Sequence, residues 1–365
     1  MDYKGRERMF LRELSERNRR VREYLCSKRY RERFPLAHIH DSAYSYIESG
    51  GKSLRPAVLL FSCGALGGDE EKAMPAACGV EIFHTWTLVH DDIIDDDSKR
   101  RGKPTVHEEF SRRIVEESGL DEEAARHYGL SIGILAGDVQ HGWATSLFTE
   151  LATENGIRPE VALYLIDEMN NYVLNILVSG ELLDIQYSKQ SVDSLTEEAI
   201  VDMLWKKTGV LYEFAGRAGA MIGLNSCEPD HKAVKAISSF CSKCGTAFQL
   251  QDDILGIVGD EDKLGKPVGS DIREGKRTTI VYYAFENATQ AQKRRLLEIL
   301  GNKNASAEEI TWAKELLLEL GGVERTKALA ERYITDAMVH LNDIPESTYK
   351  ELLSTWAEYM INREL

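Results

Sequence analysis

The segment LVHDDIIDDDSKRRGKPT, residues 88–105, carries five aspartates within seven positions. The stretch 83–89 is largely apolar, so the acidic cluster ends a buried helix. On that helix Asp91 and Asp95 lie four residues apart on one face, where like charges repel each other. A divalent cation offsets this repulsion, and carboxylates with water are the ligands that Mg²⁺ prefers. We therefore predict a ligand-binding cluster; the alternative is a solvated acidic helix end.

Two arginines, Arg100 and Arg101, follow this cluster closely. Guanidinium groups bind phosphate oxygens through paired hydrogen bonds, so arginines beside a metal site suit a diphosphate ligand. His90 precedes the aspartates, but Mg²⁺ favours oxygen ligands. We therefore expect the His90 side chain to pack or to form a hydrogen bond instead of binding metal.

A second acidic cluster occurs in FQLQDDILGIVGDEDKLGKPVGSDIREGKRT, residues 248–278. A helical apolar run leads to Asp252 and Asp253, and a loop rich in glycine and lysine follows them. The charged residues of this loop include Lys266, Asp271, Lys276 and Arg277. Two helices that end in aspartates can face each other across a cavity, where they would hold Mg²⁺ ions that bridge one diphosphate.

Two other segments supply positive charge, namely GGKSLRP at residues 50–56 and a KKTG sequence. In the first, the glycines permit close approach of the backbone to a ligand, and Lys52 and Arg55 are three residues apart, so we expect both on one helical face. In the second, Lys207 and Thr208 form a donor pair. Each segment is a weak signal alone, but their combination with two aspartate clusters is specific.

Most of the chain has apolar residues at i, i+3, i+4 and i+7, which is typical of α-helices, and few segments alternate with period two. The longest predicted helices cover residues 7–32, 71–97, 121–151, 159–188, 196–223 and 230–256, and a shorter one covers 276–287. We predict an all-α fold with a single domain over residues 1–365, a helical bundle around a deep central cavity. Residues 1–35 form an Arg-rich helical extension, which we interpret as a solvated amphipathic helix.

The composition limits the classes of partner. A net charge of −15 argues against nucleic acid, because phosphate binding needs a basic surface. No apolar run reaches the roughly 18–20 residues of a membrane span, and the charged first residues lack the apolar core of a signal peptide. We therefore expect no integral membrane segment and a cytoplasmic location. Cys241 and Cys244 form a C-x-x-C in an apolar helix, which favours buried thiols over a metal or redox site.

At these residues the chain resembles the trans-isoprenyl diphosphate synthase (polyprenyl synthetase) family, over about residues 39–363. The motifs occur in the family's order: GGKSLRP, HDDIIDDDSKRRGKPT, LAGD, GELLDI, KKTG, FQLQDDILGI and GKPVGSDIREGKRT. The resemblance is to archaeal-type short-chain geranylgeranyl and farnesyl diphosphate synthases in particular. It implies a homodimer of helical bundles that uses several Mg²⁺ ions to join isopentenyl diphosphate to an allylic diphosphate.

The resemblance also implies roles for individual residues. The implied metal ligands are Asp91, Asp95 and Asp252. The residues implied to bind the allylic diphosphate are Arg100, Lys207 and Lys266. The loop residue Lys276 is predicted to bind substrate as well. The implied isopentenyl diphosphate site consists of Gly51, Lys52, Arg55, His84 and Arg101, with Phe248 beside the homoallylic substrate. Thr208 and Gln249 match groups near the reacting carbons, and with Lys207, Asp91 and Asp252 they are the predicted catalytic residues.

Two positions depart from the family pattern. Gly256 stands where the second motif often ends in aspartate, so we expect weaker metal support there, for which Asp260 is a candidate substitute. Glu181 stands where glutamine is common. We expect activity to be retained in spite of the departure at Gly256.

The expected chemistry is ionisation of the allylic diphosphate, attack by isopentenyl diphosphate and loss of a proton, with the released diphosphate as base. Product length depends on cavity depth. Trp86 lies five residues before Asp91, about 7.5 Å deeper along the helix at 1.5 Å per residue. Trp86, with Phe83 and Thr87, is therefore predicted to limit chain growth, and the resemblance implies a C20 product with C15 as the alternative. The other possibility is that Trp86 only packs in the core.

Two further functions stay open. A class I terpene cyclase also uses aspartate-rich Mg²⁺ sites, but it does not need the separate basic group at Lys52, Arg55 and Arg101. A non-catalytic partner subunit is expected to lose metal ligands, whereas both leading aspartate pairs are present here. The sequence leaves undecided the preferred primer, the exact product and the role of the Arg-rich N-terminal helix.

Overall fold

The computed structural model describes residues 3–259 and 269–362, and in this part of the chain almost every regular element is helical. The exception is a short antiparallel hairpin, in which Lys99–Arg100 (β1) pairs with Lys103–Pro104 (β2). The predicted all-α fold is therefore confirmed. Two compact units form: residues 1–167 with 218–229, and residues 168–217 with 230–365.

The first unit contains the elements that carry the first acidic cluster. Besides the hairpin, its helices are α1 (Tyr3–Leu25), α2 (Lys28–Arg31), α3 (Ala37–Glu48), α4 (Leu54–Ala65), α5 (Glu70–Ile94), α6 (Val106–Ser118), α7 (Glu122–Thr153) and α8 (Pro159–Asp167). The end of α11, a helix defined below, also belongs to this unit.

The second unit contains the elements that carry the second acidic cluster. Its α-helices are α9 (Leu174–Ser188), α10 (Glu197–Leu204), α11 (Val210–Leu224, in part), α12 (Lys232–Val258), α13 (Ser270–Glu274), α14 (Thr279–Asn287), α15 (Gln290–Ile299), α16 (Ala307–Glu319), α17 (Gly322–His340) and α18 (Thr348–Asn362). Two 3₁₀ turns, Val192–Ser194 and Leu341–Asp343, lie between these helices.

Two long helices predicted from the sequence each contain a π-helical segment. Glu168–Val173 joins α8 to α9, and Trp205–Gly209 joins α10 to α11. A π-turn holds one residue more than an α-turn and is frequent at functional sites. The second π-turn contains Lys207 and Thr208, so the bulge falls on the KKTG motif.

The predicted helix 7–32 is wrong at its end. Helix α1 stops at Leu25, and Lys28–Arg31 forms a separate short helix. Ser27 between them has extended backbone angles, φ −64° and ψ 153°, which no α-helix can continue through.

Two other predicted boundaries also differ. The helix predicted over 71–97 stops at Ile94, and Asp96 has a left-handed backbone with φ +60°, which ends α-helical hydrogen bonding. The helix predicted from residue 276 starts at Thr279. Its N-cap is Thr278, whose side chain accepts a hydrogen bond from the helix.

Apolar packing secures the end of α5, where the first aspartates lie. Val89 is buried in a cluster with Phe110 and Ile132, and burial of each such side chain contributes about 1.5–3 kcal/mol. Helix α7 approaches closely because Gly137 has no side chain. A Cβ atom at that position would lie 2.0 Å from the Nε2 atom of His90, whose ring packs there.

A second apolar cluster secures the end of α12, just beyond Asp252 and Asp253. Ile254 and Ile257 pack there with Ile272 and other buried residues of α14 to α16. Each acidic cluster therefore sits in the last turns of a helix that packs against buried apolar residues of its own unit.

Candidate active site

Asp92 is the buried member of the first acidic cluster. Its side chain is fully shielded from solvent and accepts hydrogen bonds from Arg100, from Nε at 2.8 Å and from Nη2 at 2.5 Å. The Tyr46 hydroxyl donates a further hydrogen bond to the same carboxylate. Burial raises the pKa of Asp92, while Arg100 and Tyr46 oppose that rise. Asp92 therefore orients Arg100, and it is the member of the cluster that a metal ion reaches least easily.

Asp91 and Asp95, in contrast, are partly exposed. Asp91 lies in the last turn of α5 and Asp95 caps that turn, so the two carboxylates are one helical turn apart. Among residues 3–259 and 269–362 no three acidic, histidine or cysteine side chains already form a complete metal site. The two carboxylates fit an ion that completes its coordination with water and substrate oxygens, as Mg²⁺ usually does.

Of the predicted isopentenyl diphosphate residues, Gly51, Arg55, His84 and Arg101 lie close to one another in the first unit. Lys52 precedes α4, so the prediction that it shares a helical face with Arg55 is wrong. The guanidinium of Arg101 lies against Gly51, within 2.8 Å of where a Cβ atom would be. Arg55 Nη1 lies 3.0 Å from His84 Nε2. Burial and then the charges of Arg55, Arg101 and Arg100 lower the pKa of His84 far below its ordinary value. His84 is therefore a neutral acceptor in a positively charged pocket, which favours an anionic ligand.

The predicted chain-length residues pack in an aromatic cluster. Trp86 is 9% exposed, and its ring centroid lies 5.0 Å from that of Phe83 and 5.2 Å from that of His141. The Thr87 hydroxyl donates to the His84 carbonyl within the same helix. His141 was not predicted from the sequence, because nothing in its local pattern marks it.

In the second unit the π-turn presents Lys207 to two acidic side chains. Lys207 Nζ lies 2.8 Å from Asp184 and 3.0 Å from Glu181, both on α9. A Cβ atom on Gly180 would lie 2.3 Å from the Lys207 backbone nitrogen, so the glycine of the GELLDI motif permits this approach. Asp184 was part of that motif but was not predicted as a site residue.

A chain of hydrogen bonds links the π-turn to the second acidic cluster. Thr208 Oγ1 donates to Gln249 Oε1 at 2.8 Å, and Gln249 Nε2 donates to Asp253 Oδ1 at 3.0 Å. Asp253 is buried, and burial followed by the charge of Asp271 raises its pKa well above the ordinary value. Asp253 is therefore a positioning group for Gln249, while the preceding Asp252 is partly exposed.

Asp271 occupies the space beside Gly256. Its Oδ2 atom lies 3.0 Å from the point that a Cβ atom on Gly256 would occupy. A carboxylate from α13 therefore stands close to the position that the second motif leaves without one. Asp260, the substitute suggested by the sequence, and Lys266 lie outside the described residues. Lys276 pairs with Glu274 at 2.9 Å and lies 3.7 Å from Asp184.

Comparison with known proteins identifies the family. The sequence profile described as polyprenyl synthetase matches residues 37–317. The chain belongs to the polyprenyl synthetase family. The residues matched include every described site residue named above.

This polyprenyl synthetase is similar to the geranylgeranyl diphosphate synthase of Sulfolobus acidocaldarius, with 36% identity over 89% of this chain and 91% of that protein. It is also similar to the crystal structure of the Pyrococcus horikoshii geranylgeranyl pyrophosphate synthetase, with 33% identity, full coverage of both chains and a TM-score of 0.79. A Corynebacterium glutamicum geranylgeranyl pyrophosphate synthase, solved with isoprenyl diphosphate and magnesium, has 26% identity, full coverage of both chains and a TM-score of 0.79.

Other features of this polyprenyl synthetase involve residues outside the acidic clusters. A cavity of about 790 Å³ in the second unit is lined by Glu213, Tyr333 and other residues, none of which was predicted as a site residue. Cys241 and Cys244 are fully buried, and burial raises the pKa of the Cys244 thiol, which disfavours the reactive thiolate. Within the described ranges, no helix is both long and apolar enough to span a bilayer.

Proposed function

We propose that this chain is a Mg²⁺-dependent prenyltransferase that condenses isopentenyl diphosphate with allylic diphosphates and releases geranylgeranyl diphosphate. The observation that carries the proposal is that both acidic pairs occur together with the separate basic group Lys52, Arg55 and Arg101. A terpene cyclase has no use for that group, and a non-catalytic subunit has no use for the acidic pairs. The similarity to curated C20 synthases supports the chain length.

Asp91, Asp95 and Asp252 would hold several divalent ions. Bound ions stabilise the negative charge of a departing diphosphate. Arg100, which Asp92 holds in place, and Lys207 place positive charge on the allylic diphosphate. Lys266 and Lys276 are proposed to add to this charge.

Thr208 and Gln249 are proposed to supply oxygens for the allylic cation. Thr208 Oγ1 and Gln249 Oε1 are 2.8 Å apart and already hydrogen-bonded, so their dipoles need no reorganisation when positive charge develops. The described groups include no dedicated side-chain base for the last proton, and the released diphosphate serves that role in the proposed reaction. In the first unit, Lys52, Arg55 and Arg101 bind isopentenyl diphosphate without metal.

A homodimer is part of the proposal. Val178, Leu182 and Ile185 on α9 form a stripe at helical spacing, and their side chains are 50%, 51% and 40% exposed. An apolar stripe of this kind on a helix suits contact with a second copy of the chain. Leu182→Glu should shift the mass measured by light scattering from dimer to monomer, whereas an unchanged mass would argue against this surface.

The function is tested by a product assay. Purified protein is incubated with isopentenyl diphosphate, Mg²⁺ and C5, C10 or C15 primers in turn, and the dephosphorylated alcohols are separated by chromatography. We expect an acyclic C20 alcohol that disappears on addition of a chelator. A cyclic hydrocarbon would select the cyclase, and a lack of elongation with every primer would favour the partner subunit.

A matched pair of variants tests the first acidic cluster. Asp91→Asn should lower turnover by several orders of magnitude, because it removes a predicted metal ligand. Asp96→Asn is the control: Asp96 is exposed, lies 3.4 Å from Arg126, and has a left-handed backbone that asparagine tolerates. Equal effects of the two substitutions would contradict the assignment of Asp91.

A further inference from the structure

The N-terminal helix α1 is firmly attached to the first unit, contrary to its interpretation as a solvated helix. Phe10, Leu14, Val21 and Leu25 form its buried apolar face. Arg17 is 7% exposed, and its Nη2 atom pairs with Glu70 at the start of α5 at 2.6 Å. The helix is therefore an integral wall of this unit.

Two residues of α1, Asn18 and Arg22, contact the loop that contains Gly50, Gly51 and Lys52. Asn18 Nδ2 donates a hydrogen bond to the Lys52 carbonyl oxygen at 2.6 Å. Arg22 Nη2 lies 2.7 Å from the point that a Cβ atom on Gly50 would occupy. Helix α1 therefore contacts this loop at both its first and its last residue.

The loop has little means of holding its own shape. Gly50 has φ +80° and Ser53 has φ +39°, both in the left-handed region, and the two glycines have no side chains that could pack. Its middle residue, Gly51, lies against the Arg101 guanidinium. The conformation that presents Lys52 therefore depends on contacts from elsewhere in the unit.

We propose that α1 is a positioning element for isopentenyl diphosphate, in which Asn18 and Arg22 hold the Gly50–Lys52 loop in its binding conformation. This inference rests on the proposed function, since it assigns a source of rigidity to the site that binds the non-allylic substrate. The Asn18 amide acts through the Lys52 backbone and is a positioning residue, not a catalytic one.

The test is steady-state kinetics of Asn18→Leu and Arg22→Ala against wild type. Asn18→Leu keeps most of the side-chain shape and removes the N–H donor without adding a charge. One net hydrogen bond corresponds to roughly a two- to tenfold change in binding, so we expect the KM for isopentenyl diphosphate to rise by that factor. The KM for the allylic primer, kcat and the melting temperature should stay unchanged.

Arg19→Ala is the matched control, because Arg19 lies on the same helix, is 55% exposed and pairs with Glu16 and Glu23 of that helix. It should leave both KM values unchanged. An unchanged KM for isopentenyl diphosphate in the Asn18 and Arg22 variants would overturn the inference. A parallel change in both KM values with a lower melting temperature would also overturn it, because that pattern belongs to a merely structural helix. Failure of wild type to elongate any primer would refute the proposed function instead.

Discussion

Replacing Trp86 by alanine should lengthen the main product from C20 to C25. Trp86 lies about 7.5 Å along α5 from Asp91, and Phe83 lies about 4.5 Å beyond Trp86 at the helical rise of 1.5 Å per residue. Once the indole is removed, the fully buried Phe83 ring becomes the next barrier. The added depth is close to the length of one extended isoprene unit, so one further condensation fits.

The Trp86→Ala substitution also lowers the free energy of unfolding. A second variant and a control are therefore needed to distinguish an effect on stability from an effect on product length. Truncation of a buried tryptophan to alanine costs about 3–5 kcal/mol, a large share of the roughly 5–15 kcal/mol by which a protein is stable. Trp86→Leu retains more apolar contact and serves as a second variant. Trp143→Leu is the matched control, because Trp143 is 4% exposed and packs with Tyr30 and Tyr44, away from the Trp86 cluster.

The assay is chromatography of dephosphorylated products formed with a C15 primer, at limiting and at saturating isopentenyl diphosphate. Both Trp86 variants should shift product toward C25, and Trp143→Leu should release C20 at reduced yield. A folded Trp86→Ala protein whose product distribution equals that of wild type would refute the idea that this ring limits growth.

Three other outcomes are expected. His84→Gln should reduce the dependence of folding stability on pH in acid. Burial lowers the pKa of His84 in the folded protein, so below the unfolded pKa of about 6.5 the wild-type free energy of unfolding falls by at most about 1.4 kcal/mol per pH unit. Urea midpoints at pH 7 and pH 5 would measure this, and equal slopes for variant and wild type would contradict it. Glu181→Gln should lower the KM for the allylic primer roughly two- to tenfold, because it removes one of the two carboxylates that neutralise Lys207. A higher KM in steady-state assays would contradict this. Asp271→Asn should raise the Mg²⁺ concentration for half-maximal activity about tenfold or more, since that carboxylate stands beside Gly256. An unchanged half-maximal Mg²⁺ concentration would show that Asp271 does not contribute to metal binding.

Much of the fold could be predicted because helical order is a local property. The positions of α5 and α12 follow from apolar residues at helical spacing, which need only neighbouring residues to be recognised. The shared face of Asp91 and Asp95 follows from the same geometry. The helix ends were less predictable, because the left-handed backbone of Asp96 is a choice that the flanking sequence permits but does not require.

The π-turn at Trp205–Gly209 could not be predicted from the local sequence pattern. Residues 196–223 read as one continuous helix, and the extra residue per turn has no signature in the spacing of apolar residues. It becomes understandable only when Gly180 is seen to pack against the Lys207 backbone. The bulge therefore depends on a second helix, not on its own sequence.

The order of residues along the chain was enough to recognise the aspartate pairs, the basic GGKSLRP and KKTG segments and the resemblance to a family. The contacts that each side chain makes became visible only in the folded chain. It paired Asp92 with Arg100 and Tyr46, placed Asp271 beside Gly256, and set Asn18 on the Lys52 carbonyl. The reason is physical. Within a helix, backbone geometry fixes the distance between neighbours, whereas the distance between residues 18 and 52 or 46 and 92 depends on how separate helices pack.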